Sequence, residues 1–120
     1  MPFVSMTIKK GCPNNKLERC MKDISHAIAD NLDNTKLRMV RVSVFEILEK
    51  DMLQGDETPK SWHPSMTFDI GPGRSEESIE RTMRAIVDAT ANALEIEKDD
   101  VNLAIIRTPN EFFTIAGEVK

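Results

Sequence analysis

A proline stands directly behind Met1. Removal of the methionine, which a neighbour as small as proline permits, leaves a secondary amine at Pro2. Such an amine serves as a base when its pKa lies near the working pH. Ordinary terminal amines titrate at about 7.7 to 8.0. An apolar pocket and neighbouring guanidinium groups both disfavour the charged form and push the value lower. Pro2 is therefore a candidate general base and proton shuttle, the alternative being a bland amino-terminal residue. Pro64 cannot do the same work, because its nitrogen is a tertiary amide whose lone pair is delocalised into the carbonyl.

Other reactive residue types are sparse. Cys12 and Cys20 both lie in the first half, and without a convergent histidine pattern they make no zinc site. Reduced thiols are expected, Cys12 being either a loop cysteine or a reactive thiol near a helix start. His26 falls on the polar side of a helix and His63 in a linker, where solvated histidines are expected. Neither a metal nor a cofactor is called for. The net charge of −4 and the pI near 5.2 argue against a nucleic-acid or anionic-membrane partner, since no basic field attracts phosphate. No apolar run reaches transmembrane length, and the amino terminus lacks a signal-peptide plan. The expected location is the cytoplasm.

Pro64 opens a second copy of the pattern that begins at Pro2. Laid over one another, Arg19 meets Arg81, Met21 meets Met83, Ile24 meets Ile86, Ala27 meets Ala89 and Leu32 meets Leu94. With one residue slipped, Val40-Arg41-Val42-Ser43-Val44 then falls on Val101-Asn102-Leu103-Ala104-Ile105. The matches cluster at apolar positions and element starts, the mark of an internal duplication. A chain of 120 residues is about one domain long, and a unit of roughly sixty residues is marginal alone, so the copies should share one core. The expected organisation is a single domain over 1–120, with a first unit at 2–48, a linker at 49–63 and a second unit at 64–120.

Each unit reads as strand, helix, strand. Residues 2–8 are β-branched and partly alternating until Gly11 and Pro13 break the run. Leu17, Met21, Ile24, Ile28 and Leu32 recur at helical spacing, which predicts a helix from about 15 to 32 with those residues buried. Alternation predicts a second strand over 39–45. In the second unit, residues 66–70 read as strand, and Ser75 is placed to cap a helix carrying Glu76 and Glu77 in its first turn. Ile79, Met83, Ile86, Thr90 and Leu94 form its buried stripe, and 101–106 is the closing strand. A crossover helix of this length makes the two strands of a unit parallel. The expected fold class is α+β, with two tandem β-α-β units forming a four-stranded mixed sheet and two helices on one face. The linker has no clear period; a short hairpin is its expected feature.

Joined by Gly73-Arg74-Ser75, by Val40-Arg41-Val42 and by Phe113 ahead of Gly117-Glu118, the proline at position 2 makes the chain resemble the tautomerase superfamily. It looks like a fused member, two 4-oxalocrotonate tautomerase-like units in tandem. The resemblance implies that Pro2 is the catalytic base, that Arg41 and Arg74 are the family's two arginines, and that Phe113 lines the pocket. The copies keep different parts. The first has Cys12 where the first arginine would be, and the second has Asn102 where the strand arginine would be. Family pockets are composites of more than one unit, so one pocket type would draw on Pro2, Arg41, Arg74 and Phe113, with Asn102 as a neutral substrate contact or a solvated strand residue. A guanidinium holds a carboxylate through two parallel hydrogen bonds and stabilises a dienolate formed next to a carbonyl. For Arg41 the bland reading is an edge charge, for Arg74 a residue preceding a capped helix, and for Phe113 a core residue.

The activity implied is that of an isomerase, a keto-enol tautomerase acting on unsaturated 2-oxo or 2-hydroxy carboxylic acids. A second reading is a dehalogenase, hydratase or malonate semialdehyde-type decarboxylase of the same superfamily. That chemistry calls for further groups to position water; the chain has no tyrosine, which leaves Glu46 and Glu118. A third is a non-catalytic oligomeric binding protein. The resemblance also implies a homotrimer, which would cover the sheet face that the helices leave open.

Overall fold

In the first strand every second residue is withdrawn from water and the others are half-exposed, and this alternation sets the geometry of the sheet. The computed structural model describes residues 2–109, 112, 114–115 and 117–119, with Ile115 and Val119 described by their backbone alone. Its elements are β1 (Phe3–Lys9), α1 (Asn14–Asn31), β2 (Arg41–Ile47), β3 (Ser65–Ile70), α2 (Glu76–Leu94), β4 (Asn102–Arg107), β5 (Thr114–Ile115) and β6 (Glu118–Val119). The four longer strands form one mixed sheet in the order β2-β1-β3-β4. Within each copy the strands are parallel, Phe3 lying beside Arg41 and Ser65 beside Asn102. Between the copies β1 and β3 run antiparallel, Phe3 opposite Asp69 and Ser5 opposite Thr67. Ser5 and Thr67 are also equivalent in the repeat, so an approximate two-fold axis passes between them.

Val4, Met6 and Ile8 of β1 and Met66, Phe68 and Ile70 of β3 point to one face and are buried. Both helices cover that face, adding Leu17, Cys20, Ile24, Ile28 and Leu32 from α1 and Ile79, Ile86, Ala93 and Leu94 from α2 to one core. Each fully buried side chain of this size contributes about 1.5–3 kcal/mol, and neither copy has the other's half of the layer. The opposite face carries Phe3, Ser5, Thr7, Thr67 and Asp69, with Phe45 and Ile106 on the outer strands still 57% and 47% exposed.

The helix stripes differ from expectation by one residue, at equivalent places in both copies. Cys20 is buried where Met21 was expected, and Thr82 where Met83 was expected. Both methionines are half-buried, Met83 packing against the core. A buried thiol behaves as a small apolar group. Thr82 and Thr90 satisfy their hydroxyls on the carbonyls of Ser78 (2.6 Å) and Ile86 (2.8 Å), which leaves their methyl groups to pack. The second strand also starts later than expected, at Arg41, because Leu37–Met39 closes a 3-10 turn in which the Val40 N–H reaches the Leu37 carbonyl. The second helix begins as expected, Ser75 Oγ accepting from the Ser78 N–H at 3.1 Å.

In the linker the expected hairpin reduces to one bridge, Gln54 to Glu57, turning at Gly55 with φ +64°. The β5–β6 hairpin was not anticipated; Gly117 at φ +82° lies between its two short strands. Among the described residues no helix is long and apolar enough to cross a membrane. Phe68, fully buried at the middle of β3, is the strongest test of the shared core. Phe68→Ala is expected to destabilise the chain by about 3–5 kcal/mol, read by chemical denaturation.

Candidate active site

Antiparallel pairing of β1 with β3 carries the end of β3 to the start of β1, and the sequence after β3 holds Arg74. Pro2 precedes β1 with its ring buried, and its carbonyl accepts the Arg41 N–H at 3.1 Å. Arg41 opens β2 beside Phe3 on the uncovered face of the sheet. It is exposed, with its guanidinium 5.4 Å from the centre of the Phe3 ring. At that distance ring and cation attract one another.

Arg74 lies in the turn between β3 and α2, where Gly73 adopts φ +90°, a conformation that glycine takes without strain. Three partners hold its guanidinium: the Asp33 carbonyl takes Nε–H, the Pro72 carbonyl takes Nη1–H and Thr35 Oγ1 takes Nη2–H, each at 3.3 Å. A guanidinium has five N–H donors, so each terminal nitrogen keeps one. Among the described residues no carboxylate forms an ion pair with Arg41 or Arg74. Partial burial lowers the Arg74 pKa, with the charge of Asp33 opposing; at neutral pH the group remains a cation.

The other end of the sheet is built from the equivalent residues, with Asn102 in place of Arg41 and Cys12 in place of Arg74. The Pro64 carbonyl accepts the Asn102 N–H at 3.1 Å, as Pro2 accepts from Arg41. Cys12, equivalent to Arg74, is a loop residue and is buried. Burial raises its thiol pKa, Lys16 opposing and Glu46 adding, and burial pushes Cys20 up to about 11. Both cysteines are free and protonated at neutral pH. Here the linker closes over the sheet. The Lys9 N–H reaches the Trp62 carbonyl at 2.9 Å, Lys9 Nζ donates to the Pro59 carbonyl at 3.0 Å, and the Trp62 ring lies against Gly11. His63, expected to be solvated, is half-buried with φ +49°, whereas His26 is exposed.

Of the residues singled out from sequence, Pro2, Arg41 and Arg74 thus lie at one end of the sheet, and Asn102 lies at the other end within the same chain. Glu46 also lies away from Pro2, beside Ile8 at the far end of β2. Phe113 and Met1 lie outside the described residues. Sequence reasoning missed Asp33 and Thr35 as partners of Arg74, and Trp62 and Pro59 as the cover of the opposite end. A pronounced groove runs between α2 and β4, lined in part by Met83, Val87, Val101 and Leu103. It includes Asn102 and none of Pro2, Arg41 and Arg74, which share the other end of the sheet.

Comparison with protein-family models and with curated sequences finds no match. Solved structures do match over nearly the whole chain. A wild-type fused 4-OT described as an asymmetric trimer has a TM-score of 0.90 at 16% identity, covering 98% of this chain and 94% of that one. Pt0534 inactivated by 2-oxo-3-pentynoate has a TM-score of 0.85 at 20% identity with the same coverages. N1, a member of the cis-3-chloroacrylic acid dehalogenase family, has a TM-score of 0.82 at 14% identity, covering 98% of this chain and 82% of its own.

The geometry at the Pro2 end carries a test in acid. Hydrogen bonds from Ser75, the backbone N–H foremost, hold the Asp33 carboxyl below its ordinary value of 3.8. A depressed folded-state pKa stabilises the fold above the ordinary value, and this contribution disappears as pH falls through the folded-state value. The melting temperature of Asp33→Asn should therefore lie below that of the parent at neutral pH, and the gap should close between about pH 5 and pH 2. Sequence pattern, strand register and the structural matches agree on one architecture: the chain has the fold of the fused 4-OT structures.

Proposed function

We propose that the protein is a tautomerase that moves a proton within an unsaturated 2-oxo acid or its enol, with Pro2 as the shuttle. The observation that carries this reading is the gathering of Pro2, Arg41 and Arg74 at one end of the sheet, while the equivalent end holds an amide proline, an asparagine and a cysteine. Once Met1 is removed, the Pro2 nitrogen is a secondary amine on a buried ring, and withdrawal from water favours its neutral, basic form. Arg74 offers unused N–H donors without a paired carboxylate, which suits it to a substrate carboxylate. Arg41 supplies a second cation for the charge that develops when a proton leaves the carbon beside a carbonyl.

The assembly belongs to the same proposal. Phe45 and Ile106 on the uncovered face, together with fused 4-OT trimers among the structural matches, support a homotrimer in which one chain's uncovered face completes another's site. Light scattering at micromolar concentration is expected to give three times the chain mass; a stable monomer would contradict it.

The related dehalogenase and decarboxylase chemistry requires a group that positions water. Glu46 lies at the wrong end of its own chain for that role, which leaves Glu118 as the candidate for that reading.

The deciding experiment begins with the intact mass of protein isolated from its source, expected without Met1. That material should ketonise 2-hydroxymuconate or phenylenolpyruvate, with a rate that falls as pH drops below the Pro2 pKa. Pro2→Ala should lower kcat/KM by about 10²–10⁴-fold. Treatment with 2-oxo-3-pentynoate should add mass at Pro2 and not at Pro64. Retained Met1, or a Pro2→Ala variant as active as the parent, would remove the proposal. Preferential turnover of 3-haloacrylates or malonate semialdehyde would replace it with the dehalogenase or decarboxylase reading.

A further inference from the structure

The two copies differ by one residue in length between helix and second strand, and the structure locates the difference. Leu32 and Leu94 are equivalent at the ends of α1 and α2. The residue with left-handed backbone that follows is Glu95 in the second copy (φ +57°) and Asn34 in the first (φ +55°). Asp33, between Leu32 and Asn34, therefore has no counterpart.

This unmatched residue is the one that grips the Arg74 turn. Its carboxylate Oδ2 accepts the Ser75 N–H at 2.9 Å, and its carbonyl accepts Arg74 Nε–H at 3.3 Å. Its own N–H donates to Ser78 Oγ at 3.4 Å. The residues beside it continue the contact: Asn34 Nδ2 donates to the Gly73 carbonyl at 3.4 Å, and Thr35 Oγ1 accepts from Arg74. The division of labour within Asp33 carries the inference. A carboxylate beside an arginine ordinarily takes the guanidinium as an ion-pair partner, which would satisfy the cation before any ligand arrived. Here the carboxylate is engaged by a backbone N–H at the start of α2, and the uncharged carbonyl meets the guanidinium. The turn is fixed at both Arg74 and Ser75 while the positive charge stays available.

We infer that Asp33 is a positioning residue for Arg74, a clamp from the first copy that sets the direction of a guanidinium belonging to the second. The inference rests on the carboxylate-binding role proposed above for Arg74. A clamp of this kind acts on binding of the substrate's carboxylate end more than on proton transfer at Pro2, because it touches neither the amine nor the reacting carbon.

The test uses Met1-free protein and three variants, Asp33→Ala, Asp33→Asn and Arg74→Ala. With phenylenolpyruvate as substrate, Asp33→Ala, which keeps the carbonyl that meets Arg74 but frees the Ser75 N–H, should raise KM by up to about tenfold, the bound set by that one charge-assisted hydrogen bond, with kcat changed less than about twofold. Asp33→Asn keeps an acceptor of the same reach and should recover most of the loss. A second readout needs no turnover: the Arg74 Nε–Hε cross-peak in ¹⁵N NMR, assigned by its loss in Arg74→Ala. It should be protected from solvent exchange in the parent and move toward the signals of exposed arginines in Asp33→Ala. If Asp33→Ala does not fold, Asp33→Asn carries the same comparison, with a smaller shift expected.

Unchanged KM and an unchanged Arg74 signal in the Asp33 variants would overturn the clamp, even where Arg74→Ala raises KM. An unchanged KM in Arg74→Ala would instead overturn Arg74 as the carboxylate partner. The cross-peak then decides the clamp alone, a shift in Asp33→Ala supporting it and no shift ending it. A fall in stability without movement of KM or the cross-peak would make Asp33 a helix-capping residue only and would also overturn it.

Discussion

The backbone pairing of β1 with β3 is the contact on which the rest depends. Among the described residues it is the only direct strand pairing between the two copies in the main sheet, and its register, Ser5 against Thr67, places the approximate two-fold axis. A slip by one residue would turn Val4, Met6 and Ile8 to the uncovered face and bring Phe3, Ser5 and Thr7 against the helices. The buried layer thus enforces the register, and the register decides that the turn after β3 comes to the start of β1. The grouping of residues at the Pro2 end is a product of strand direction before it is a product of any side chain.

The helices add a second constraint. α1 and α2 pack against each other over the sheet, and Cys20 and Thr82 occupy equivalent inward positions. Cys20 faces Thr90 of the opposite helix, whose hydroxyl is already committed to the Ile86 carbonyl. No buried side-chain polar atom among the described residues lacks a partner. A core containing serine, threonine and cysteine can therefore be as complete as one of aliphatic groups, provided each hydroxyl bonds backwards along its own helix.

Much of this architecture was legible in the sequence, and the shortfalls have physical causes. Strand type, helix placement and the Ser75 cap followed from alternation, helical spacing and a capping residue ahead of two glutamates. The parallel pairing within each copy followed from helix length, whereas the antiparallel pairing of β1 with β3 was specified only as a mixed sheet. The stripe was misread at Met21 and Met83 because hydropathy ranks methionine above threonine, whereas a threonine bonded to the carbonyl four residues back presents only a methyl group. The start of β2 was misread because Met39 and Val40 alternate like strand residues, while Phe3, beside Arg41, is already the first residue of β1. For the site, the elements that carry Pro2, Arg41 and Arg74 were readable, and so was the slip between copies; which of these residues converge was not. That the slip falls on Asp33, and that Asp33 holds Arg74, required knowing which residue takes the left-handed backbone at each helix end.

The linker touches the fold mainly through its last residues, at Pro59 and Trp62, while Leu53 and its neighbours stand in solvent. Its service is that of a tether, keeping the halves at high effective concentration. In a pair of identical short chains, every substitution at one end of the sheet is printed at the other as well. Covalent joining removes that coupling: a cysteine can replace an arginine at one pole, and an extra aspartate can appear at the opposite pole, without either change being duplicated.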